Sequence, residues 1–319
     1  MDNLPGWEPT PLVKVDGIYA KVEMVNPCGS IKDRIAHYII SRSMETGCLK
    51  PGMGLIEATS GNTGIALAYY GQKYGFPVTI VMPEHMTEER KQIIRSFGAE
   101  LILCSQEGSF AEAAEIRDRM ADENPGLYCT DQFSNPLNVE CHERTTGQEL
   151  ATQVPGQIDA FVAGVGTGGT LIGVGNRLRR DNPQIHLAAV EPKQAAVMSG
   201  GPENSSHRIF GIGDGFIPAI AGDGEGGLHP MIDEVIVISD CEALDAAKYL
   251  AREHGLHVGI SSGANFLAAK KLQDRFNTVA TVFSDGARKY LSHGLTLCDP
   301  DTCQFAELCA RCVIDRADG

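Results

Sequence analysis

Strand-like and helix-like segments alternate along most of this chain, and no other feature restricts its fold as strongly. Short apolar runs bounded by glycine or proline indicate buried strands, and the segments between them have the apolar spacing of helices. The predicted strands are 17–25, 55–58, 77–82, 100–104, 126–129, 159–165, 186–191, 235–238 and 278–284. The predicted helices are a segment that follows Lys32 and ends near Gly47, then 65–74, 87–97, 110–122, 138–153, 171–180, 241–253 and 263–276. Such alternation favours parallel sheets covered by helices.

Composition narrows the class of protein. The chain has 319 residues, of which 43% are hydrophobic, so it can bury a sizeable core as one large domain or two lobes. The formal net charge of −14 argues against a nucleic-acid or anionic-membrane surface. No apolar run is long enough to span a bilayer, and the first residues lack the pattern of a signal peptide. We therefore expect a cytoplasmic protein with no nucleic-acid or membrane partner.

A lysine stands where a turn becomes a helix. The segment Asn-Pro-Cys-Gly-Ser-Ile-Lys-Asp-Arg, residues 26–34, places Lys32 at the mouth of a Pro/Gly turn. Alone, this lysine would be interpreted as a surface charge. Three Gly/Ser/Thr turns, 59–64, 166–170 and 259–263, also follow strand patterns and open helix patterns. Because backbone N–H groups at helix N-termini bind anions, the set suits a small anionic cofactor with Lys32 as its covalent partner.

These four stretches, in this order, resemble the cysteine synthase/cystathionine β-synthase family of enzymes that depend on pyridoxal 5′-phosphate (PLP), and the resemblance runs from Pro9 to Ser292. It implies an α/β fold of fold type II, two-lobed and like the tryptophan synthase β subunit, with parallel-rich sheets flanked by helices. The implied larger, PLP-binding lobe is 1–34 with 139–297, and the smaller mobile lobe is 35–138. The Cys-rich tail 298–319 lies beyond it. A homodimer is the family expectation.

The resemblance implies a cofactor site. Lys32 would hold PLP as a Schiff base and later remove the α-proton of the substrate. Asn62 would bond the 3′-oxygen of PLP. Ser261 would face the pyridine nitrogen, although Ser262 could take that place or the pair could simply cap a helix. The implied phosphate loop consists of Gly166, Thr167, Gly168, Gly169 and Thr170.

The resemblance also implies a substrate site. Gln132 matches a position that contacts the substrate carboxylate, with a surface loop amide as the alternative. The other implied carboxylate contacts are Thr59, Ser60, Gly61 and Thr63. The irregular stretch 202–227 contains Asp214, an acid where many members have a small or apolar residue. Asp214 would bear on which β-substituent or nucleophile is admitted, or would be a solvated loop aspartate. Arg288 would lie near the pyridine end, or would recognise an anionic leaving group such as phosphate. Cys28 replaces the usual Thr or Ser.

Ten cysteines form two groups. Six are scattered along the chain, and we expect thiols packed as small hydrophobic side chains in a reducing cytoplasm. Four crowd into the tail, at Cys298, Cys303, Cys309 and Cys312. Four thiolates suit a [4Fe–4S] cluster or tetrahedral zinc, although the spacing matches no standard pattern of either. The alternative is tail thiols without a ligand, as a redox disulfide or a sulfur relay.

The implied reaction is a β-replacement. An O-activated L-serine, O-acetylserine first and O-phosphoserine second, would pass through an aminoacrylate and take up sulfide to give cysteine. Alternatives within the same chemistry are cystathionine β-synthase, 2,3-diaminopropionate synthase and cysteine desulfhydrase. A hypothesis from another class is a sulfur-handling or regulatory binding protein that uses the tail; intact Lys32, Asn62 and Ser261 argue against it.

Overall fold

The computed structural model describes residues 7–59, 61–84, 86–105, 110–201, 207–293 and 295. These form two compact units, one from the described parts of 1–31 and 138–319 and the other from those of Lys32–Leu137. Each unit contains its own sheet. The lobe boundaries expected from the sequence, and the mobility of the smaller lobe, stay predictions.

In chain order the strands are β1 (Leu12–Val15), β2 (Ile18–Val22), β3 (Gly54–Ala58), β4 (Val78–Pro83), β5 (Glu100–Cys104), β6 (Leu127–Cys129), β7 (Ala160–Gly164), β8 (His186–Pro192), β9 (Glu234–Ile238) and β10 (Val279–Phe283). The α-helices are α1 (Lys32–Glu45), α2 (Asn62–Tyr74), α3 (Glu88–Ser96), α4 (Phe110–Glu123), α5 (Pro136–His142), α6 (Gln148–Gln153), α7 (Gly169–Leu178), α8 (Asp240–His254) and α9 (Ile260–Gln273). The expected α/β fold with parallel sheets flanked by helices is confirmed.

The larger unit is built on a six-stranded sheet in the order β1-β2-β10-β7-β8-β9. All neighbours are parallel except β1 and β2, which form an antiparallel hairpin. Successive residues of β7 pack into different hydrophobic cores: Val162 belongs to one core cluster and Phe161 belongs to the other. Because side chains alternate across a strand, this places apolar cores on both faces, as is typical of a covered parallel sheet.

The smaller unit contains a four-stranded parallel sheet in the order β5-β4-β3-β6. Both β3 and β4 are buried along their whole length. The core on one side joins Ile56, Val81 and Ala113, which come from β3, β4 and α4. β3 is therefore an interior strand of its sheet, and the described residues of the 59–63 loop follow its carboxyl end.

Each predicted strand overlaps an observed one, but the sequence reading missed β1 and treated 138–153 as one helix. In the structure a π-helical turn, Glu143–Gly147, separates α5 from α6. A Cβ at Gly147 would lie 2.8 Å from the Cβ of Arg177 in α7, so the turn packs closely against α7. Such π-bulges are frequent at functional sites.

Among the described helices, none is long and apolar enough to cross a membrane.

Candidate active site

Lys32 is the first residue of α1, and the turn that precedes it is held in place by hydrogen bonds. Asn26 Nδ2 donates to the carbonyl oxygen of Ser30 at 2.9 Å. The N–H of Ile31 donates to the carbonyl oxygen of Ser284 at 2.8 Å. The lysine itself is half-buried. A fixed backbone and partial burial suit an amine that must react from one position.

The glycine loop joins β7 to α7 and leaves no room for side chains at two positions. Gly168, the N-cap of α7, has φ of 86°, in the left-handed region. A Cβ there would lie 2.9 Å from Ala221 Cβ, and one at Gly166 would lie 2.4 Å from the Gly211 carbonyl oxygen. The first N–H groups of a helix lack acceptors within it and attract anions. This junction fits the phosphate of PLP.

Two threonines of the loop are held by α5 and the π-helical turn. Thr167 Oγ1 accepts a hydrogen bond from Asn138 Nδ2 at 3.0 Å. Thr170 Oγ1 lies 3.3 Å from His142 Nε2, and His142 Nδ1 lies 2.9 Å from Thr146 Oγ1. Sequence reasoning missed these three supporting residues. Their four-residue spacing, which places Asn138 and His142 on one helix face, is the signal that could have found them.

In the smaller unit, the structure brings Gln132 together with the 59–63 loop. Thr63 Oγ1 donates to Gln132 Oε1 at 2.6 Å, and Gln132 Nε2 donates to the Ala58 carbonyl oxygen at 3.3 Å. The N–H of Gly61 donates to Thr59 Oγ1 at 3.2 Å. Since Gln132 is only 3% exposed, the alternative of a surface loop amide is wrong.

The loop ends at a second helix N-terminus. Asn62 is the first residue of α2 and is half-buried. Gly61 is the N-cap, and a Cβ there would lie 3.0 Å from Arg90 Nε. Ser60 lies outside the described residues. The backbone N–H groups at the start of a helix, with a glycine before them and hydroxyl side chains nearby, can bind a carboxylate as well as a phosphate.

An ion pair is buried beneath this loop. Arg117 Nη1 lies 3.2 Å from Glu57 Oε1, and Glu57 is fully buried. Burial raises the pKa of Glu57, while hydrogen bonds and Arg117 oppose that rise. Burial alone would lower the pKa of Arg117, but Glu57 raises it. Burial raises the pKa of the neighbouring Cys129 to about 12, so this thiol stays protonated at neutral pH and is a poor nucleophile.

The two serines of α9 have different surroundings. Ser262 Oγ accepts a hydrogen bond from the N–H of Ser284 at 3.0 Å. Ser261 is 4% exposed and occupies the second position of the helix. The N-cap is Gly259, with no side-chain cap bond, so the alternative of simple helix capping is wrong. The buried hydroxyl of Ser262 has a structural role, which leaves Ser261 as the serine suited to a ligand.

Two further charged residues are half-buried, Asp214 and Arg288. The loop that contains Asp214 is tied to the end of β7, because the N–H of Gly213 donates to the Val165 carbonyl oxygen at 3.0 Å. The roles expected for Asp214 and Arg288 stay predictions.

None of the six described cysteines forms a disulfide. Cys104 and Cys141 are buried as expected, but Cys48 and Cys241 are exposed, so the expectation of packed thiols is wrong for those two. Cys48 lies in the turn after α1, and Cys241 in the first turn of α8. No group of His, Cys, Asp and Glu within the described ranges could hold a metal ion. The four tail cysteines lie outside those ranges.

Comparison with known proteins gives the same family from independent directions. The model of the family "Pyridoxal-phosphate dependent enzyme" matches residues 4–285. A cysteine synthase of Staphylococcus aureus is 41% identical over 300 residues, which cover 89% of this chain and 93% of that protein.

Solved structures agree. A cysteine synthase of Entamoeba histolytica superposes with a TM-score of 0.84 at 36% identity, covering 96% of this chain and 94% of the other. A hydrogen sulfide-producing enzyme of Fusobacterium nucleatum superposes with a TM-score of 0.82 at 42% identity, covering 87% and 83%. With its lysine turn, its glycine loop and a family match over most of its length, this chain belongs to the family of pyridoxal-phosphate dependent enzymes.

Proposed function

We propose that this protein is a PLP-dependent β-replacement enzyme that makes cysteine and acetate from O-acetylserine and sulfide, with O-phosphoserine as the second candidate substrate. The observation that carries the proposal is the glycine loop at the start of α7, where close contacts with Ala221 and Gly211 leave no room for a side chain at Gly168 or Gly166 and the backbone N–H groups begin a helix. The cysteine synthase of S. aureus, 41% identical over 89% of this chain, supports the choice of reaction.

The residues of the larger unit would hold the cofactor. The N–H groups of the glycine loop would bind the phosphate, and Thr167 and Thr170 would add hydroxyl donors. Their contacts with Asn138 and His142 fix both threonines before the ligand arrives. Ser261 would place a neutral hydroxyl against the pyridine nitrogen of PLP. A hydroxyl is too weak an acid to protonate that nitrogen, so the nitrogen would stay largely unprotonated.

Lys32 and the 59–63 loop would handle the substrate. Lys32 would hold PLP covalently and, once released, would take the proton from the substrate α-carbon. The loop, with Gln132, would bind the substrate carboxylate, and Asn62 would orient the cofactor ring. PLP, when bound, supplies an electron sink for the charge that develops at the α-carbon.

Substituting the two serines of α9 one at a time should separate their roles. Ser262→Ala removes the acceptor of the Ser284 N–H, so we expect a loss of about 1 kcal/mol in the free energy of unfolding and little change in turnover. Ser261→Ala should leave the melting temperature nearly unchanged and lower kcat about tenfold, as expected for one contact to the reacting system. Thermal unfolding and steady-state rates of both variants check this. Equal effects of the two substitutions on both quantities would contradict the assignment.

A second candidate function is cysteine desulfhydration, in which the Cβ–S bond of L-cysteine breaks, sulfide leaves, and water reacts with the three-carbon unit that remains. The specific observation in its favour is the likeness to the F. nucleatum hydrogen sulfide-producing enzyme, 42% identical over 87% of this chain. Incubating the protein with L-cysteine alone and measuring released sulfide tests it. Sulfide release faster than cysteine formation from O-acetylserine would reverse the order of the two candidates.

For the tail, we propose that Cys298, Cys303, Cys309 and Cys312 bind a [4Fe–4S] cluster or zinc. The support is the crowding of four thiols in 15 consecutive residues of sequence, 298–312. Removing the tail before Cys298 should remove all bound iron and zinc, as measured by elemental analysis, and should leave cysteine synthesis within about threefold of the full chain, since no residue of the proposed site lies there. Full-length protein purified without oxygen but holding neither metal would contradict the metal site.

We also propose a cytoplasmic homodimer. The support is the family expectation together with the absence, among the described helices, of one able to cross a membrane. Light scattering coupled to size-exclusion chromatography should give twice the mass of 34.2 kDa.

The proposed function itself is tested by supplying O-acetylserine and sulfide to the PLP-loaded protein. Cysteine should appear with an absorption change of the bound cofactor on addition of O-acetylserine alone. A PLP-loaded protein that shows neither would favour the alternative of a sulfur-handling binding protein.

A further inference from the structure

The buried ion pair of Glu57 and Arg117 lies next to the proposed carboxylate site, where β3 ends. Glu57 is the penultimate residue of β3, and only Ala58 separates it from the 59–63 loop. It is an acid fully buried behind a loop that is proposed to attract a carboxylate. A negative charge at this place opposes the ligand unless something cancels it.

The four hydrogen bonds to Glu57 show what its carboxylate organises. Oε2 accepts from the N–H of Gln132 at 3.0 Å and from Thr130 Oγ1 at 2.6 Å. Oε1 accepts from the N–H of Ala58 at 2.9 Å and from Arg117 Nη1 at 3.2 Å. All four partners are placed to donate, and this arrangement suits the ionised carboxylate, which has acceptor capacity only. Glu57 therefore fixes the backbone of Gln132 from the end of β3.

Arg117 connects the two segments that form the carboxylate site. From α4, its Nη1 reaches Glu57 before the 59–63 loop and also Asp131 Oδ1, at 3.3 Å, just before Gln132. Asp131 has φ of 42°, a left-handed conformation that is uncommon outside glycine but that aspartate tolerates better than most residues. The guanidinium thus contacts this turn and offsets the charge of Glu57. Its Nη2 pairs with Asp118 at 2.7 Å.

We propose that Glu57 and Arg117 form the positioning pair of the substrate-carboxylate site: Glu57 orders Gln132, and Arg117 cancels the charge that Glu57 would otherwise direct at the substrate carboxylate. This inference rests on the proposed function. A buried ion pair is weak evidence of a gain in stability, since desolvation offsets the attraction. Its position beneath an anion site gives it a role in binding.

The test uses the PLP-loaded protein and L-alanine, an amino acid without a leaving group, whose dissociation constant is measured from the absorption change. Arg117→Met leaves the buried negative charge of Glu57 without its positive partner. We therefore expect the dissociation constant of L-alanine and the KM for O-acetylserine to rise about tenfold or more, with kcat changed less. The double variant E57Q/R117M carries no stranded charge and should bind more tightly than R117M, although it has lost one more native group. Asp118→Asn is the matched control, since Asp118 pairs with Nη2 of Arg117 whereas Glu57 pairs with Nη1, and it should bind as the wild type does.

A pH series adds a signature that a purely structural role would not give. The titratable groups placed around Glu57 by the described residues are Arg117 from α4, Cys129 from β6 and Asp131 from the following turn. Without Arg117 the pKa of Glu57 rises further, so protonation on lowering the pH removes the repulsion. The ratio of the R117M to the wild-type dissociation constant should therefore fall as the pH falls. Because L-alanine titrates in the same way with both proteins, its own titration cancels in this ratio of dissociation constants.

Three outcomes overturn the inference. They are an R117M protein that binds L-alanine as the wild type does, a double variant that binds no better than R117M, and a ratio independent of pH. If R117M does not fold, Arg117→Lys replaces it, and binding of L-alanine within about fivefold of the wild type is expected, since the lysine keeps a positive charge beside Glu57. A tenfold loss in Arg117→Lys overturns the inference. Wild-type protein that neither binds L-alanine nor makes cysteine overturns the proposed function as well, so the two failures are distinguishable.

Discussion

Replacing Lys32 with alanine is expected to lower cysteine formation about 10³-fold or more, because a positioned proton-transfer group alone contributes about 10²–10⁴ and the covalent attachment of PLP is lost with it. The rate should fall in kcat, since Lys32 is proposed to act on the α-carbon and not on the carboxylate. Steady-state assays with O-acetylserine and sulfide, on protein loaded with excess PLP, measure it.

The control for this substitution is Lys50→Ala. Lys50 is an exposed lysine of the same unit, in the turn region before β3. It should keep the wild-type rate, which shows that loss of a lysine charge is not the cause. Lys32→Ala protein that folds, binds PLP and still makes cysteine within about tenfold of the wild type would contradict the assignment of Lys32.

Replacing Gly168 with alanine is expected to weaken PLP binding by about 10- to 100-fold. Gly168 has φ of 86°, and an added Cβ would lie 2.9 Å from Ala221 Cβ and 3.1 Å from Ala221 N. The left-handed conformation costs about 1–2 kcal/mol for a residue with a Cβ, and the collision displaces the start of α7, where the phosphate is proposed to bind. Titration of PLP into the apoprotein measures the dissociation constant.

Gly156→Ala is a matched control for the backbone effect. Gly156 lies in the same unit with φ of 81°, but nothing lies within 4 Å of the Cβ it would gain. Both substitutions should therefore lower the free energy of unfolding by a similar backbone amount, and only Gly168→Ala should weaken PLP binding. Equal PLP affinities in the two variants would show that the glycine loop does not hold the cofactor.

The strands of this fold could be predicted well from the sequence, because they are apolar, short and bounded by turns. The missed strand, β1, is exposed at Lys14 and pairs only with β2, so it lacks the continuous apolar run of a buried strand. The interrupted helix between 138 and 153 could not be predicted, since a π-helical turn depends on close packing against α7 and leaves no local signal.

The helices of the site begin earlier than their apolar patterns. The patterns predict starts directly after Lys32, at Ile65 and at Gly263, whereas α1, α2 and α9 begin at Lys32, Asn62 and Ile260. Polar residues or glycine make up most of the first turn of each helix, so hydrophobic periodicity does not detect it. The resemblance implies that polar residues of these first turns belong to the site, and their roles stay predictions.

The pairing of the supporting residues could not be predicted from the sequence. Glu57 and Arg117 lie 60 positions apart, and His142 and Thr170 lie 28 apart. Such pairs are formed by the tertiary fold. The four-residue spacing of Asn138 and His142 indicates one helix face but not its partner. Glu57 and Arg117 have no local pattern that separates them from ordinary strand and helix residues. Structure was needed to show that a buried acid lies under the proposed carboxylate loop.

Treating the PLP-loaded protein with borohydride, which fixes a carbonyl cofactor on the amine that holds it, shows directly which lysine carries PLP once peptide mass spectrometry locates the added group. We expect a pyridoxyl group on Lys32 that is absent from the Lys32→Ala protein. A pyridoxyl group on another lysine, such as Lys21 or Lys289, or on none, would contradict this expectation.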